Sequence, residues 1–297
     1  MANPPLTKNK KKWAENRDVT LQGTRLTYNA AQQARYEQAL RQLVRKMADE
    51  TKKQVTRLFR GEIADEFFTQ QEENSAMDAS LASQARILMN ALTSKFTQLF
   101  NKRANPLAQA MVEGASKASK TALHKSLETL SGGLSLKTGV VTKGQEEVAS
   151  ALITENVSLI KSIPQQYFKD VTGSVMRSIT TGRGIADLIP DIQKFDGQTY
   201  RRAKNLALDQ TRKAYNGINK QRLETLGVKQ FEWIHSGGGQ KPRESHLKIN
   251  GHVFSFENLY AEQAALGVPE ADRGIPGEAI NCRCVMKPVI RFETDEE

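Results

Sequence analysis

Two stretches near the C-terminus contain the residue types that could do chemistry. The later one is Gly277–Cys284, which holds Cys282 and Cys284, the only two cysteines of the 297-residue chain. The earlier one combines cationic, imidazole and turn-forming residues: Arg243, Glu244, His246, Asn250 and Gly251. If the chain folds back so that the two stretches meet, they form one compact polar site.

One hypothesis for this site is a metal centre. Side chains alternate along an extended segment, so Cys282 and Cys284 would point to the same face. Together with His246 and either His235 or His252 they could make a tetrahedral zinc site. The single residue between the cysteines is a shorter spacer than zinc sites usually have. Zinc is therefore kept as an alternative, and no cofactor is the first expectation.

The structural interpretation is that the cysteines pack as small hydrophobic residues. A disulfide between residues so close in sequence would be strained, and cysteines this scarce indicate a reducing compartment. In this interpretation Arg283 and His246 hydrogen-bond the two loops to each other.

A further hypothesis is hydrolysis, with His246 as the general base and Glu244 or Glu278 as its partner. Cations for a phosphate could come from Lys241, Arg243 and Arg283. However, the chain contains neither a Gly-x-Ser-x-Gly nucleophile motif nor a Gly-x-x-x-x-Gly-Lys phosphate loop. We therefore expect the protein not to be an enzyme.

Composition limits the class of protein. Hydrophobic residues make up 38% and aromatic residues 6% of the chain, which favours an elongated, helix-rich protein. No apolar run approaches the ~20 residues of a membrane span. The net charge of +10 allows contact with nucleic acid, although a solvated surface is the alternative. The candidate contacts are Lys8, Lys10, Lys11, Lys12, Arg201 and Arg202.

Helical periodicity dominates the first part of the chain. One apolar stripe has spacings of three and four: Tyr36, Leu40, Leu43, Val44, Met47, Val55, Leu58 and Phe59. A capping box at Ser75–Asp78 predicts the start of a second long helix. Its seam repeats at near-heptad spacing, with Phe96 beside it: Leu81, Ala85, Leu88, Leu92, Lys95 and Leu99.

The second part is predicted to change from helix to mixed structure. Pro164 should interrupt a helix, and Asp196 should cap the last long one, which ends at Gly227. Alternation over Val228–Ser236 predicts a strand, and the Asn250-Gly251 pair predicts a hairpin turn. A short helix over Glu257–Leu266 and an apolar run over Val285–Phe292 follow. Little before Gly227 resembles a strand.

These patterns predict a mainly α N-terminal part and an α+β C-terminal module, with a long helix packed on a small antiparallel sheet. We predict a basic flexible arm over 1–26, a helical docking or oligomerisation region over 27–130, a linker over 131–144 and the C-terminal module over 145–297.

The C-terminal module resembles the phage Mu protein F-like head morphogenesis (minor capsid) proteins. The resemblance is carried, in order, by Leu208-Asp209-Gln210-Thr211, Leu226-Gly227-Val228, Phe231-Glu232-Trp233, Arg243-Glu244-Ser245-His246, Asn250-Gly251-His252-Val253-Phe254, Pro276-Gly277-Glu278 and Asn281-Cys282-Arg283-Cys284. The chain departs from the family pattern at Gly238–Lys241, where the family commonly has an acidic residue and an arginine, and at Ile249-Asn250-Gly251, where it often has Leu-Asp-Gly. The lost carboxylates weaken acid–base chemistry and not the fold.

The resemblance implies a virion protein of a tailed bacteriophage, assembled in the host cytoplasm and lying in the head interior or at the portal vertex. It would act in head assembly, DNA packaging or DNA delivery. The implied partners are the portal protein, the major capsid or other head proteins, further copies of itself in a vertex-symmetric arrangement, and packaged DNA. The motif residues are expected to be structural: Asp209, Gln210, Trp233, Arg243, His246, Asn250, Gly251, Asn281, Cys282, Arg283 and Cys284. A DNA-binding protein ejected with the genome is the alternative function.

Overall fold

The computed structural model describes residues 19–62, 80–131, 142–237 and 242–292. Within them lie six helices: α1 (Ala30–Phe59), α2 (Leu81–Ser131), α3 (Lys143–Thr180), α4 (Ile185–Thr225), α5 (Glu244–Lys248) and α6 (Leu259–Ala265). There are also four strands, β1 (Val19–Gln22), β2 (Gln230–Ile234), β3 (Val253–Ser255) and β4 (Val285–Phe292), and a short 3-10 helix at Glu270–Asp272. A mainly helical chain with a small antiparallel sheet confirms the predicted fold class.

Several predicted features lie outside the described residues. These are the lysine-rich start of the chain, the capping box at Ser75–Asp78 and most of the predicted linker. The start of α2 has its own cap, because the backbone N–H of Ser83 donates to Ser80 Oγ at 3.4 Å. None of the helices in the described part of the chain carries an apolar stretch long and uncharged enough to cross a membrane.

Two predicted helix breaks do not occur. Helix α3 continues through Pro164, although an interior proline costs a helix about 3 kcal/mol. Ile160, Ile163 and Tyr167 are buried on either side of it, so packing holds the helix together. The residues expected to form two helices before and after Asp196 form the single helix α4, and Asp196 lies in its interior.

The chain divides into two compact units. One comprises Ala34–Gln109 and Ile153–Ala207 and is called the helical unit below. Its core contains apolar residues from all four long helices, and the Phe96 and Phe168 rings stack at 6.0 Å. The apolar stripe of α1, predicted as core or helix-partner surface, is mostly buried in this unit. It is therefore part of the unit's own core and is not a free docking face.

Three hydrogen-bonded pairs of polar side chains lie among the apolar residues of the helical unit. Tyr36 donates to Asn156 Oδ1 at 3.1 Å, and both side chains are buried. Tyr167 donates to Asp196 at 2.9 Å. Ser174 donates to Asp191 at 2.8 Å. In each pair, the hydrogen bond satisfies a polar group that would destabilise the fold if it were buried without a partner.

The other unit comprises the described parts of Met1–Gln33, Ala110–Leu152 and Leu208–Glu297, and is called the sheet unit. Its sheet has the order β1-β4-β2-β3, and every neighbouring pair is antiparallel. β1 was missed by the sequence analysis, because residues 19–22 fell within the predicted flexible arm. Val19–Gln22 pairs with β4 from Phe292 to Val289. A four-residue edge strand is too short to show period-two alternation, and its partner lies at the other end of the chain.

Polar contacts join the helical segments of the sheet unit. Arg222 donates to the Ser116 carbonyl at 2.7 Å and to Ser116 Oγ at 2.9 Å. Ser119 donates to Asn219 Oδ1 at 2.7 Å. The predicted domain boundaries are not tested by these observations and stay predictions.

Candidate functional site

The end of β2 and the turn after α5 lie side by side in the site and are joined by hydrogen bonds. Asn250 Oδ1 accepts the backbone N–H of His235 at 2.8 Å, and the Gly251 N–H donates to the Trp233 carbonyl at 2.8 Å. Gly251 has φ of 84°, which favours glycine. The Asn-Gly pair was expected to connect two strands of a hairpin. It instead connects α5 to β3, because the residues before it are helical.

His246 is held from two directions. Its Nε2 lies 3.0 Å from the Asp272 backbone carbonyl, and its ring meets Trp233 edge-on with centroids 4.9 Å apart. A carbonyl only accepts, so Nε2 carries the proton and the neutral ring keeps a free lone pair on Nδ1. The ring is 2% exposed. Burial and this bond therefore fix one tautomer.

Both cysteine sulfurs face the free nitrogen of His246. Nδ1 lies 3.6 Å from Cys282 Sγ and 3.8 Å from Cys284 Sγ. The three donor atoms lie within 4.8 Å of one another, and both cysteines are free and 3% exposed. The cysteines therefore share a face, as their spacing predicted. His235 and His252, expected as fourth ligands, are not in this cluster.

Hydrogen bonds and burial shift the pKa values of Cys282, Cys284 and His246. Hydrogen bonding by the Cys284 thiol, together with His246 and the backbone N–H groups of Gly277 and Cys284, lowers the pKa of Cys282, although burial raises it. The bond between the thiols and burial raise the pKa of Cys284. Burial lowers the pKa of His246, but bonds to Cys282 and the Asp272 carbonyl outweigh it, so the net pKa is raised. Negative charge is thus favoured on Cys282.

Asp272 was not selected in the sequence analysis, but it contacts Arg243, Ser245 and His246 of the earlier polar stretch. Arg243 Nε lies 2.7 Å from Asp272 Oδ1, and Ser245 donates to Oδ2 at 2.7 Å. Arg243 also donates to the Ile280 carbonyl at 2.8 Å. Arg283 was expected to make such a contact and is exposed instead. The arginine that joins the loops is therefore Arg243.

The long helix α4 holds the loop over Gly277–Cys284, which is called the cysteine loop below. Asp209 Oδ1 accepts the Asn281 N–H at 2.8 Å, and Lys213 lies 3.2 Å from Asp209 Oδ2. Asn281 has φ of 60°, the single positive value among the described non-glycine residues. Gln210, beside Asp209 on α4, is buried.

Gln263 on α6 is a second residue that the sequence analysis missed. Its amide donates to the Gly274 carbonyl at 3.0 Å and accepts the Gly274 N–H at 2.8 Å. The side chain is fully buried. A glutamine among the apolar positions of a short helix is the sequence feature that could have indicated this role.

The predicted hydrolytic partners do not reach His246. Glu244 is exposed, and Glu278 accepts from the Tyr260 hydroxyl at 3.0 Å and from the Ile275 N–H at 2.9 Å. Both nitrogens of His246 already face other protein atoms. The arrangement therefore holds loops together, or binds a soft metal ion, better than it activates a water molecule.

The predicted nucleic-acid contacts are only partly described. Lys8, Lys10, Lys11 and Lys12 lie outside the described residues. Arg201 and Arg202 are exposed on α4 in the helical unit, and Arg202 donates to Ser162 Oγ at 2.8 Å. These arginines belong to the helical unit, and the cysteine cluster belongs to the sheet unit.

Comparison with known proteins gives one family. Residues 169–287 match the family model described as Phage Mu protein F like protein, which confirms the resemblance. A protein of Haemophilus influenzae, described as an uncharacterized protein, is 35% identical over 144 residues. The match covers 48% of this chain and 30% of that relative, so the chain spans less than a third of the relative's length. No solved structure matches the chain significantly.

Proposed function

We propose, on the premise that residues 169–287 form a phage Mu protein F-like domain, that the protein is a minor head protein of a tailed bacteriophage. The family is one of structural and morphogenesis proteins. In this proposal the protein works without catalysis in head assembly, DNA packaging or delivery, in contact with the portal protein and other head proteins.

The family match is the observation that carries the proposal, and the site chemistry supports it. His246, Asp272 and Glu278 are all engaged by other protein groups. A catalytic acid or base has to reach a substrate atom at hydrogen-bond distance. A site whose polar groups satisfy one another suits a structural cross-link between loops.

The test is quantitative mass spectrometry of procapsids and mature virions purified from the same infection. We expect the protein in both particles, at a few copies for each portal assembly. Chemical cross-linking of intact procapsids should then join lysines of this chain to the portal or major capsid protein. Absence from both particles would overturn the proposal.

A control separates incorporation from contamination. Particles from a phage lacking the gene, complemented with the wild-type chain or with an Asp209→Ala, Arg243→Ala double variant, should be compared. The double variant loses two contacts of the cysteine loop, so its incorporation should fall. Equal recovery of both chains would indicate passive trapping and contradict a specific head role.

A second candidate is a DNA-binding protein delivered with the genome. Its support is an exposed basic group in the helical unit: Arg177, Arg183, Arg201, Arg202 and Lys204. If these residues bind phosphates, affinity for duplex DNA should fall steeply with salt, by a slope of about 0.9 for each neutralised phosphate. An Arg201→Ala, Lys204→Ala variant should have a shallower slope. Loss of the protein from particles after DNA release would favour this function.

A further inference from the structure

We propose that His246, Cys282 and Cys284 bind one zinc ion, in a site with two thiolate ligands and one imidazole. The three donor atoms come from α5 and from the segment leading into β4, so the ion would link stretches far apart in sequence. This proposal does not depend on the proposed head function.

The first argument is the geometry of His246. Its Nδ1 has a single lone pair, yet two sulfurs lie at nearly equal distances from it, 3.6 Å and 3.8 Å. The two sulfurs and this nitrogen converge on one buried point, which is the arrangement of donor atoms in a metal site. A tetrahedral zinc with bonds of ~2.3 Å to sulfur and ~2.0 Å to nitrogen holds those atoms about 3.6 Å apart. The observed distances therefore fit a shared ion.

The second argument is how the imidazole is oriented. Metal-binding histidines commonly donate their other ring N–H to a carbonyl or carboxylate, which fixes the tautomer and the ring direction. His246 Nε2 does this toward the Asp272 carbonyl at 3.0 Å. The nitrogen left free is the one that faces the sulfurs.

The third argument is the support around the donor atoms. The Gly277 N–H donates to Cys282 Sγ at 3.3 Å. Such a bond becomes stronger when a metal converts the thiol to a thiolate. The Trp233 ring, which is 1% exposed, packs edge-on against His246 with centroids 4.9 Å apart and so holds the imidazole beside the sulfurs.

Zinc is the ion that this donor set suits. Two thiolates and an imidazole are soft and borderline ligands, which favour zinc over magnesium, calcium or manganese. Structural zinc usually has four ligands. Among the described residues the cluster holds three such groups, so a water molecule would fill the fourth position.

The experiment uses the full-length chain without a histidine tag, stripped with a chelator and titrated with Zn²⁺ or Co²⁺. We expect one metal ion per chain by elemental analysis, and a thiolate-to-cobalt charge-transfer band with Co²⁺. Cys282→Ser and Cys284→Ser should each weaken metal binding more than tenfold. His252→Ala, which removes an exposed histidine outside the cluster, is the matched control and should bind normally.

A measurement on the wild-type chain keeps the test decisive if a serine variant fails to fold. Alkylation of Cys282 and Cys284 should slow more than tenfold when Zn²⁺ is added. A folded wild-type chain whose thiols react equally fast with and without Zn²⁺, and which shows no cobalt charge-transfer band, would overturn the proposal. Because these readouts use the purified chain alone, absence of the protein from phage particles would affect only the proposed function.

Discussion

The helical unit and the cysteine loop region hold themselves together by different means. In the helical unit, stability comes from many apolar side chains spread over four helices, interrupted by single polar pairs. In the loop region of the sheet unit, a few polar atoms each hold several partners, as Asp272 and His246 do. The first arrangement distributes the free energy of folding over many contacts, and the second concentrates specificity in a few atoms.

The largest effect is expected in the helical unit. Phe96→Ala removes a fully buried ring that stacks on Phe168. We expect a loss of about 4 kcal/mol in unfolding free energy from burial and the remaining cavity. Urea denaturation measures it, and hydrogen exchange should become faster in the helical unit. Phe96→Leu, which keeps most of the volume, should cost about 1 kcal/mol. Equal losses in the two variants would mean that the ring is not packed as described.

The next effect is expected in the loop region, at Gly277→Ala. Gly277 has φ of 87°, and an added Cβ would lie 2.6 Å from Asn216 Nδ2 and 3.4 Å from the Arg212 carbonyl oxygen. We expect a loss of about 2 kcal/mol, from backbone conformation and crowding together.

Gly251→Ala is the matched control for that substitution. Its φ of 84° is nearly the same, but an added Cβ meets nothing within 4 Å. Its loss should be about 1 kcal/mol, from conformation alone. Equal losses at both glycines, measured by thermal or urea unfolding, would show that α4 does not press on the cysteine loop.

A smaller effect separates the two arginines of the site. Arg243→Ala removes the contacts with Asp272 and the Ile280 carbonyl, both partly exposed. We expect a loss of about 1 kcal/mol, because exposed ion pairs contribute little and the carbonyl bond adds to it. Arg283→Ala should leave the unfolding free energy unchanged, since this side chain is exposed. The opposite order would restore the role that the sequence suggested for Arg283.

The smallest effect is a change with pH in the helical unit. Burial raises the pKa of Asp196, and the like charge of Asp49 adds to this effect. The hydrogen bond from Tyr167 and the charge of Lys52 lower this pKa, but the net pKa is raised. A carboxyl whose folded pKa is raised stabilises the fold at low pH, and this contribution is lost as pH rises through the folded pKa. The Asp196→Asn variant lacks this titratable carboxyl group. Its unfolding free energy relative to wild type should therefore increase from acid to neutral pH, and a flat difference would contradict the assignment.

The elements that could be predicted from sequence are those whose pattern is local. The stripe of α1 and the alternation of β2 each follow a period that a few turns or residues display. The segment that forms β4 was visible as a short apolar run. The helix breaks at Pro164 and Asp196 were wrong because tertiary burial outweighs a local signal. β1 was missed because pairing with β4, at the other end of the chain, is what makes those residues a strand.

The site shows the same division. The sequence by itself determined that two cysteines share one face and that a histidine and an arginine lie in a second polar stretch. It did not determine that Arg243 rather than Arg283 joins the loops, or that Asp272 and Gln263 hold them. Those roles depend on distances between residues separated along the chain, and only the tertiary structure sets them. The free nitrogen of His246 faces two sulfurs because a backbone carbonyl of a distant loop accepts from the other nitrogen.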